Sequence, residues 1–155
     1  MESFEEVLIN NKQLLEKAIK LDNDKWGLEK NFQDIFTTTK KVSIEKGKSY
    51  LVIYEGDIEY TKLICEEAIK EKANVVFSIN DDYLATNELI VRIANEIIRE
   101  QNYKNVIKLY NNVNNNKVLE SSKEFDEAKF IGSSFDYRNI KNKIQCKCEF
   151  IEVEY

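Results

Sequence analysis

Ser49-Tyr50-Leu51-Val52-Ile53-Tyr54 decides the fold. A run of aromatic, leucine and β-branched residues with no polar interruption after Ser49 reads as a strand covered on both faces, and such strands belong to parallel sheets. The segments that follow alternate in period. Residues 59–72 place Leu63, Ile64, Ala68 and Ile69 on one face of a helix, and residues 74–79, with Val75-Val76-Phe77, form a second strand. Residues 84–101 predict a long helix, 106–110 a third strand, 117–123 a short helix, 128–131 a fourth strand and 134–143 another helix. Strands alternating with helices at this spacing imply βαβ crossovers, hence an α/β, Rossmann-like fold with a mostly parallel sheet and flanking helices.

Upstream of that core, Ser3 and Glu6 form a capping-box pattern. Phe4, Val7, Leu8, Leu15, Ala18 and Ile19 recur at helical spacing, so residues 3–22 predict one amphipathic helix. A second helix is expected over 25–36, with Trp26, Leu28, Phe32, Ile35 and Phe36 packing inward. Residues 37–48 read as an extended connection with a short strand at 42–44. Downstream, Ile144, Cys146, Cys148 and Phe150 alternate with polar residues, and then the phase shifts to Ile151, Val153 and Tyr155. One residue of slip moves every side chain to the opposite face, so a bulge or a change of partner is expected near Phe150-Ile151. Strict alternation also marks 144–155 as an edge strand with one wet face, through which a protein partner or a second copy could pair.

The 155 residues fit one domain, residues 1–45 supplying N-terminal helices and a connection and 46–155 the sheet. No apolar run is long enough to span a bilayer, and Met1-Glu2-Ser3-Phe4-Glu5-Glu6 is acidic where a secretion signal is basic, so a cytoplasmic protein without membrane association is expected. A net charge of −5 argues against nucleic-acid binding, which depends on clustered cations. The lysines at Lys40-Lys41, Lys46 and Lys48 lie beside Glu45 and read as a solvated connection, and Asn111-Asn112 with Asn114-Asn115-Asn116 as a polar loop.

The chain contains no histidine, which excludes Ser-His and Cys-His nucleophile pairs and imidazole acid–base chemistry. Cys65, Cys146 and Cys148 are an odd number, against a disulfide framework; the Cys-x-Cys pair lacks the partners of a closed zinc site, and no metal is expected. Asp22, Asp24 and Gly27 match three positions of a calcium loop, but Trp26 and Gln33 stand where oxygen ligands belong, so the two aspartates read as helix-end and turn residues. Asp57, Glu59 and Asp81-Asp82 complement the dipoles of the helices they precede.

Ligands of open α/β sheets bind beyond the carboxyl ends of the strands, here at 55–59, 78–82, 110–112 and 132–137. In the last of these, Gly132 allows close backbone approach, and the amides of Ser133 and Ser134 either cap a helix or hold an anion.

Val52-Ile53-Tyr54-Glu55, Thr61, Ala68, Asn74-Val75-Val76, Asn87, Asp126 and Phe130-Ile131-Gly132-Ser133-Ser134 fall in an order that resembles the cofactor-binding half of the aldehyde dehydrogenase superfamily, closest to its glutamyl phosphate reductase branch. The resemblance covers residues 46–155 and implies that a dinucleotide, NAD or NADP, would lie over the helix that follows Gly132, touching Gly132, Ser133, Ser134 and Ser78. Departures cluster at the working positions. The family's glycine four residues after the turn corresponds to Tyr137, whose ring could fill the nucleotide's space. Its oxyanion-stabilising Asn corresponds to Glu59, and Ser78-Ile79-Asn80 replaces the basic residue near the adenosine ribose. The family's nucleophilic Cys and partner Glu belong to sequence after Tyr155. The resemblance thus implies a truncated, catalytically silent relative that serves as an interaction or regulatory module and needs no cofactor; the alternative is a nucleotide-binding module, or one subunit of an enzyme completed by another chain.

Overall fold

A computed structural model describes residues 2–38, 40–111 and 115–153. Five strands, β1 (Ser49–Ile53), β2 (Asn74–Ile79), β3 (Ile107–Asn111), β4 (Glu127–Gly132) and β5 (Lys147–Glu152), form one sheet in the order β3-β2-β1-β4-β5. Every pairing is parallel, and β3 and β5 are the edges, as expected for the last strand. Among the described residues no helix is long and apolar enough to cross a membrane.

The sheet is covered on both faces, which is why β1 is apolar throughout. Tyr50, Val52 and Tyr54 point into the larger core with Val75, Phe77, Ile79 and Ile107, beneath the helices α1 (Phe4–Asn10), α2 (Lys12–Trp26), α3 (Ile58–Glu71) and α4 (Leu84–Glu100). Leu51 and Ile53 point the other way, into a smaller core with Ala128, Phe130 and Leu119, under α5 (Asn115–Glu120) and α6 (Ser134–Ile140). Lys129 sits in the sheet with only 2% of its surface exposed; its ammonium reaches Glu127 at 3.0 Å and Glu149 at 3.4 Å and lies over the Tyr50 ring.

Several expected boundaries shift. The single helix over 3–22 is two, broken at Asn11, whose side-chain amide donates to the Val7 carbonyl at 2.8 Å and so ends α1 one residue before α2 begins. The helix expected over 25–36 is absent: α2 runs on to Trp26 and stops at Gly27, in the left-handed region at φ 66°, after which only Phe32–Phe36 winds into a 3-10 turn capped by Asn31. Trp26 is therefore 42% exposed instead of packed inward. No strand forms at 42–44; Val42 and Ile44 drop into the larger core from an extended segment.

Neither the bulge nor the change of partner expected at Phe150-Ile151 occurs. The register runs unbroken from Glu127↔Lys147 to Gly132↔Glu152. The phase shift has another cause: Cys146, Cys148 and Phe150 pack on the smaller core, whereas Ile151 and Val153 pack on the larger one. The strand changes which face it buries without changing pairing. Tyr155 and the Asn112 and Asn114 positions of the asparagine loop lie outside the described residues.

One buried carboxylate ties α2 to the start of α4. Asp22 is buried and accepts from the Thr86 amide at 2.9 Å, the Thr86 hydroxyl at 2.7 Å and the Ala85 amide at 3.3 Å, capping the first turn of α4 from another helix. The N-cap residue Tyr83 makes no such bond with its own side chain. Asp22→Ala leaves buried donors unpaired and is expected to cost about 1–3 kcal/mol of unfolding free energy, measured by urea denaturation, with Asp22→Asn retaining part of it.

Candidate functional site

The chain leaves β1 toward β2 on one side, while β4 pairs on the other, so the strand order switches direction between β1 and β4. Connections diverge at such a point and leave a crevice beyond the carboxyl ends. A cavity of about 370 Å³ lies there, lined by Ile53, Tyr54 and Glu55 after β1, by Phe130, Ile131 and Gly132 of β4, by Asp136, Asn139 and Ile140 of α6, and by Asn80.

Its lining is negative. Burial raises the Glu55 carboxyl above its ordinary value, and the charges of Asp57, Asp136 and Asp82 raise it further. Two carboxylates, Glu55 and Asp136, thus share one small cavity with no Lys or Arg in its lining. One amide of the turn that begins α6 is already taken. Ser133 is the N-cap, and its hydroxyl accepts from the Asp136 amide at 3.1 Å, so that donor is already used, while the Asp136 side chain brings its own negative charge to the positive end of the helix. α6 is only seven residues long.

Gly132 is explained by a neighbour within the chain. Its backbone is not in the left-handed region, and a Cβ there would meet the Phe130 ring at 3.1 and 3.4 Å. The glycine accommodates that ring at the floor of the crevice. Ser78, expected beside a cofactor, is 1% exposed within β2, and its carbonyl accepts from the Tyr54 amide at 3.1 Å; Asn80, two residues on, reaches the crevice instead.

Tyr137 turns away from the crevice. Its ring stacks on Phe150 at 4.5 Å and leans on Phe130 at 5.4 Å, packed over β4 and β5. That ring leaves the crevice open, and the carboxyl side chains in its lining are Glu55 and Asp136. Glu59, at the first turn of α3, is half-buried; burial raises its carboxyl, and its Oε2 has no hydrogen-bond partner. Burial also pushes the thiols of Cys65, Cys146 and Cys148 up, away from the thiolate form a nucleophile needs. Among the described residues no group of three acidic or cysteine side chains is placed to hold a metal ion.

No protein-family model matches the sequence, and no curated protein matches it. Solved structures do. Gamma-glutamyl phosphate reductase from Saccharomyces cerevisiae superposes with a TM-score of 0.70 at 17% identity, over 94% of this chain and 47% of that one. Aldehyde dehydrogenase C from Pseudomonas syringae, solved with NAD+ and octanal, gives 0.61 at 13% identity over 96% and 36%. Betaine aldehyde dehydrogenase from Staphylococcus aureus, solved with NAD+, gives 0.61 at 13% over 93% and 36%. The fold is that of one part of these aldehyde dehydrogenase structures. At such identities the likeness is one of fold, and the chain spans between about a third and a half of the length of these structures. The ordered series of strand ends from Val52 to Ser134 is borne out at that level. Glu55 and Asp136, 81 positions apart, fall in the segments 55–59 and 132–137 that the strand-end rule places at one crevice, and the parallel pairing of β1 with β4 brings them together.

Two outcomes are expected. Gly132→Ala should cost about 1 kcal/mol of stability through the Phe130 contact, and the cost should shrink in a Phe130→Leu background, measured as a double-mutant cycle in urea. Glu55→Gln should raise the melting temperature near pH 7. The native carboxyl is raised above its ordinary 4.5, so ionisation opposes folding as pH climbs through the native value, and the gain should vanish well below pH 4.5, where the unfolded chain is protonated too.

Proposed function

We propose that this domain is an interaction module built on the aldehyde dehydrogenase fold, that it carries no dinucleotide at its switch point, and that it does not catalyse oxidation by itself in the cytoplasm where it acts. One observation carries the reading: the crevice where an anionic ligand would lie is lined by Glu55 and Asp136 and has no cation in its lining. A pyrophosphate brought there would meet like charge and a helix start whose Asp136 amide is already bonded to Ser133. The raised thiols and the lack of histidine support the absence of covalent or imidazole chemistry. Apolar side chains left in solvent support a surface made for contact: Phe135 is 65% exposed beside the crevice and Leu21 62% exposed on α2.

A second reading, a nucleotide-binding module or a subunit of an enzyme completed by another chain, is favoured by the crevice being at a switch point at all, and by the NAD+ in the dehydrogenases that share the fold. Calorimetric titration with NAD, NADP, ATP and coenzyme A separates the two. No heat and no thermal shift with any of them at millimolar ligand is the expected result; saturable binding of one of them overturns the interaction-module reading.

A further inference from the structure

The two edges of the sheet are treated differently. In β3 the Val106 carbonyl accepts from Val75, so Ile107 directs its own N–H and C=O away from β2 and toward the open edge. Asn95 of α4 takes both, its amide donating to the Ile107 carbonyl at 2.8 Å and its oxygen accepting from the Ile107 N–H at 3.1 Å. That edge is clamped by its own helix, a familiar device against unwanted pairing.

β5 has no such clamp along most of its length. The Val153 N–H donates to Gly132, so residues 147, 149, 151 and 153 turn their backbone groups to β4, and Cys148, Phe150 and Glu152 turn theirs outward. Lys40 Nζ takes the Glu152 carbonyl. Among the described residues no hydrogen bond meets the outward backbone N–H and C=O groups of Cys148 or Phe150.

We propose that this open edge pairs antiparallel with β5 of a second copy about a two-fold axis at Cys148, joining two five-stranded sheets into one. Charge selects the register. Only residues of even number can exchange backbone bonds, so the two-fold lies at residue 147, 148, 149 or 150 or further along. Centred on 147 it sets Lys147 against Lys147, and centred on 149 it sets Glu149 against Glu149; like charges directly opposite destabilise a pair. Centred on 150 it places Cys148 opposite Glu152, whose carbonyl Lys40 already holds. Centred on 148 it sets Lys147 against Glu149 of the other copy, twice, with Cys148 opposite Cys148 and Cys146 opposite Phe150. The partners are available. Lys147 makes no ion pair within the described residues, although Glu45 is near enough to feel its charge, and Glu149 is 44% exposed beyond its contact with Lys129.

This deepens the interaction-module reading and rests on it, yet the two fail separately. A monomer that binds no nucleotide removes only the pairing, and a dimer that binds NAD removes only that reading. Sedimentation equilibrium of the full chain up to about 100 μM, a range that captures a modest interface, is the test. The expected mass is twice 18.2 kDa. Lys147→Glu alone and Glu149→Lys alone should each raise the dimer dissociation constant about tenfold or more, since two attractive pairs become repulsive, and an equimolar mixture of the two variants should restore the dimer because every cross-pair is again Lys against Glu. Lys129 keeps Glu127 in the second variant. Cys148→Pro removes an outward N–H without touching the bonds to β4, and should abolish pairing with an unchanged circular dichroism spectrum. A wild-type chain that stays monomeric, single charge variants that dimerise as the wild type does, or a mixture that stays monomeric would overturn the pairing.

Discussion

Parallel pairing of β1 on both sides is the constraint from which the rest of the molecule follows. A parallel strand cannot be joined to its neighbour by a tight turn, so each neighbour of β1 must be reached by a helical crossover. The chain goes first toward β2 and β3 and then returns to place β4 and β5 on the other flank. Both faces of β1 are consequently covered, and its carboxyl end becomes the place where connections part. The crevice is thus a result of topology, and would exist whatever residues lined it. The residues that do line it determine its chemistry, and here they are acidic.

Long-range polar contacts then fix elements that apolar packing alone would leave free to slide. Asp22 holds α2 against the start of α4, Asn105 donates to the Ala73 carbonyl between α3 and β2, and Asn95 secures the β3 edge. Each is a side chain satisfying backbone groups that burial would otherwise leave unpaired, a cost comparable to several apolar contacts. The abundance of asparagine in the sequence is in part this work. A side-chain amide offers both a donor and an acceptor, which is what the N–H and C=O of Ile107 at an edge require.

The sheet was legible because its strands are short continuous runs such as Val75-Val76-Phe77, and because a strand buried on both faces leaves a signal that does not depend on partners. The helical breaks were less so. The apolar spacing from Phe4 to Ile19 runs across Asn11 without a glycine or proline to mark the interruption, since the stop is made by a side-chain bond to Val7. Alternation in β5 was legible, but its phase shift was assigned to a bulge or a change of partner when it belongs to the two cores on either side. The Asp22 cap was invisible because its partner is 64 positions away and no periodicity spans such a distance, whereas the strand-end rule brought the segments of Glu55 and Asp136 to one crevice without giving its acidic character.

A scaffold shared with dinucleotide-dependent enzymes and a crevice of carboxylates make opposing demands on an anion, and the second acts at shorter range. Backbone amide resonances of residues 132–137, followed while NAD+ is added to millimolar concentration, address this directly. The account predicts that the Gly132, Ser133 and Asp136 amides do not move, because the Asp136 amide is bonded to Ser133 and the crevice in front of the helix is lined by the carboxyls of Glu55 and Asp136. Saturable shifts confined to those amides would contradict it.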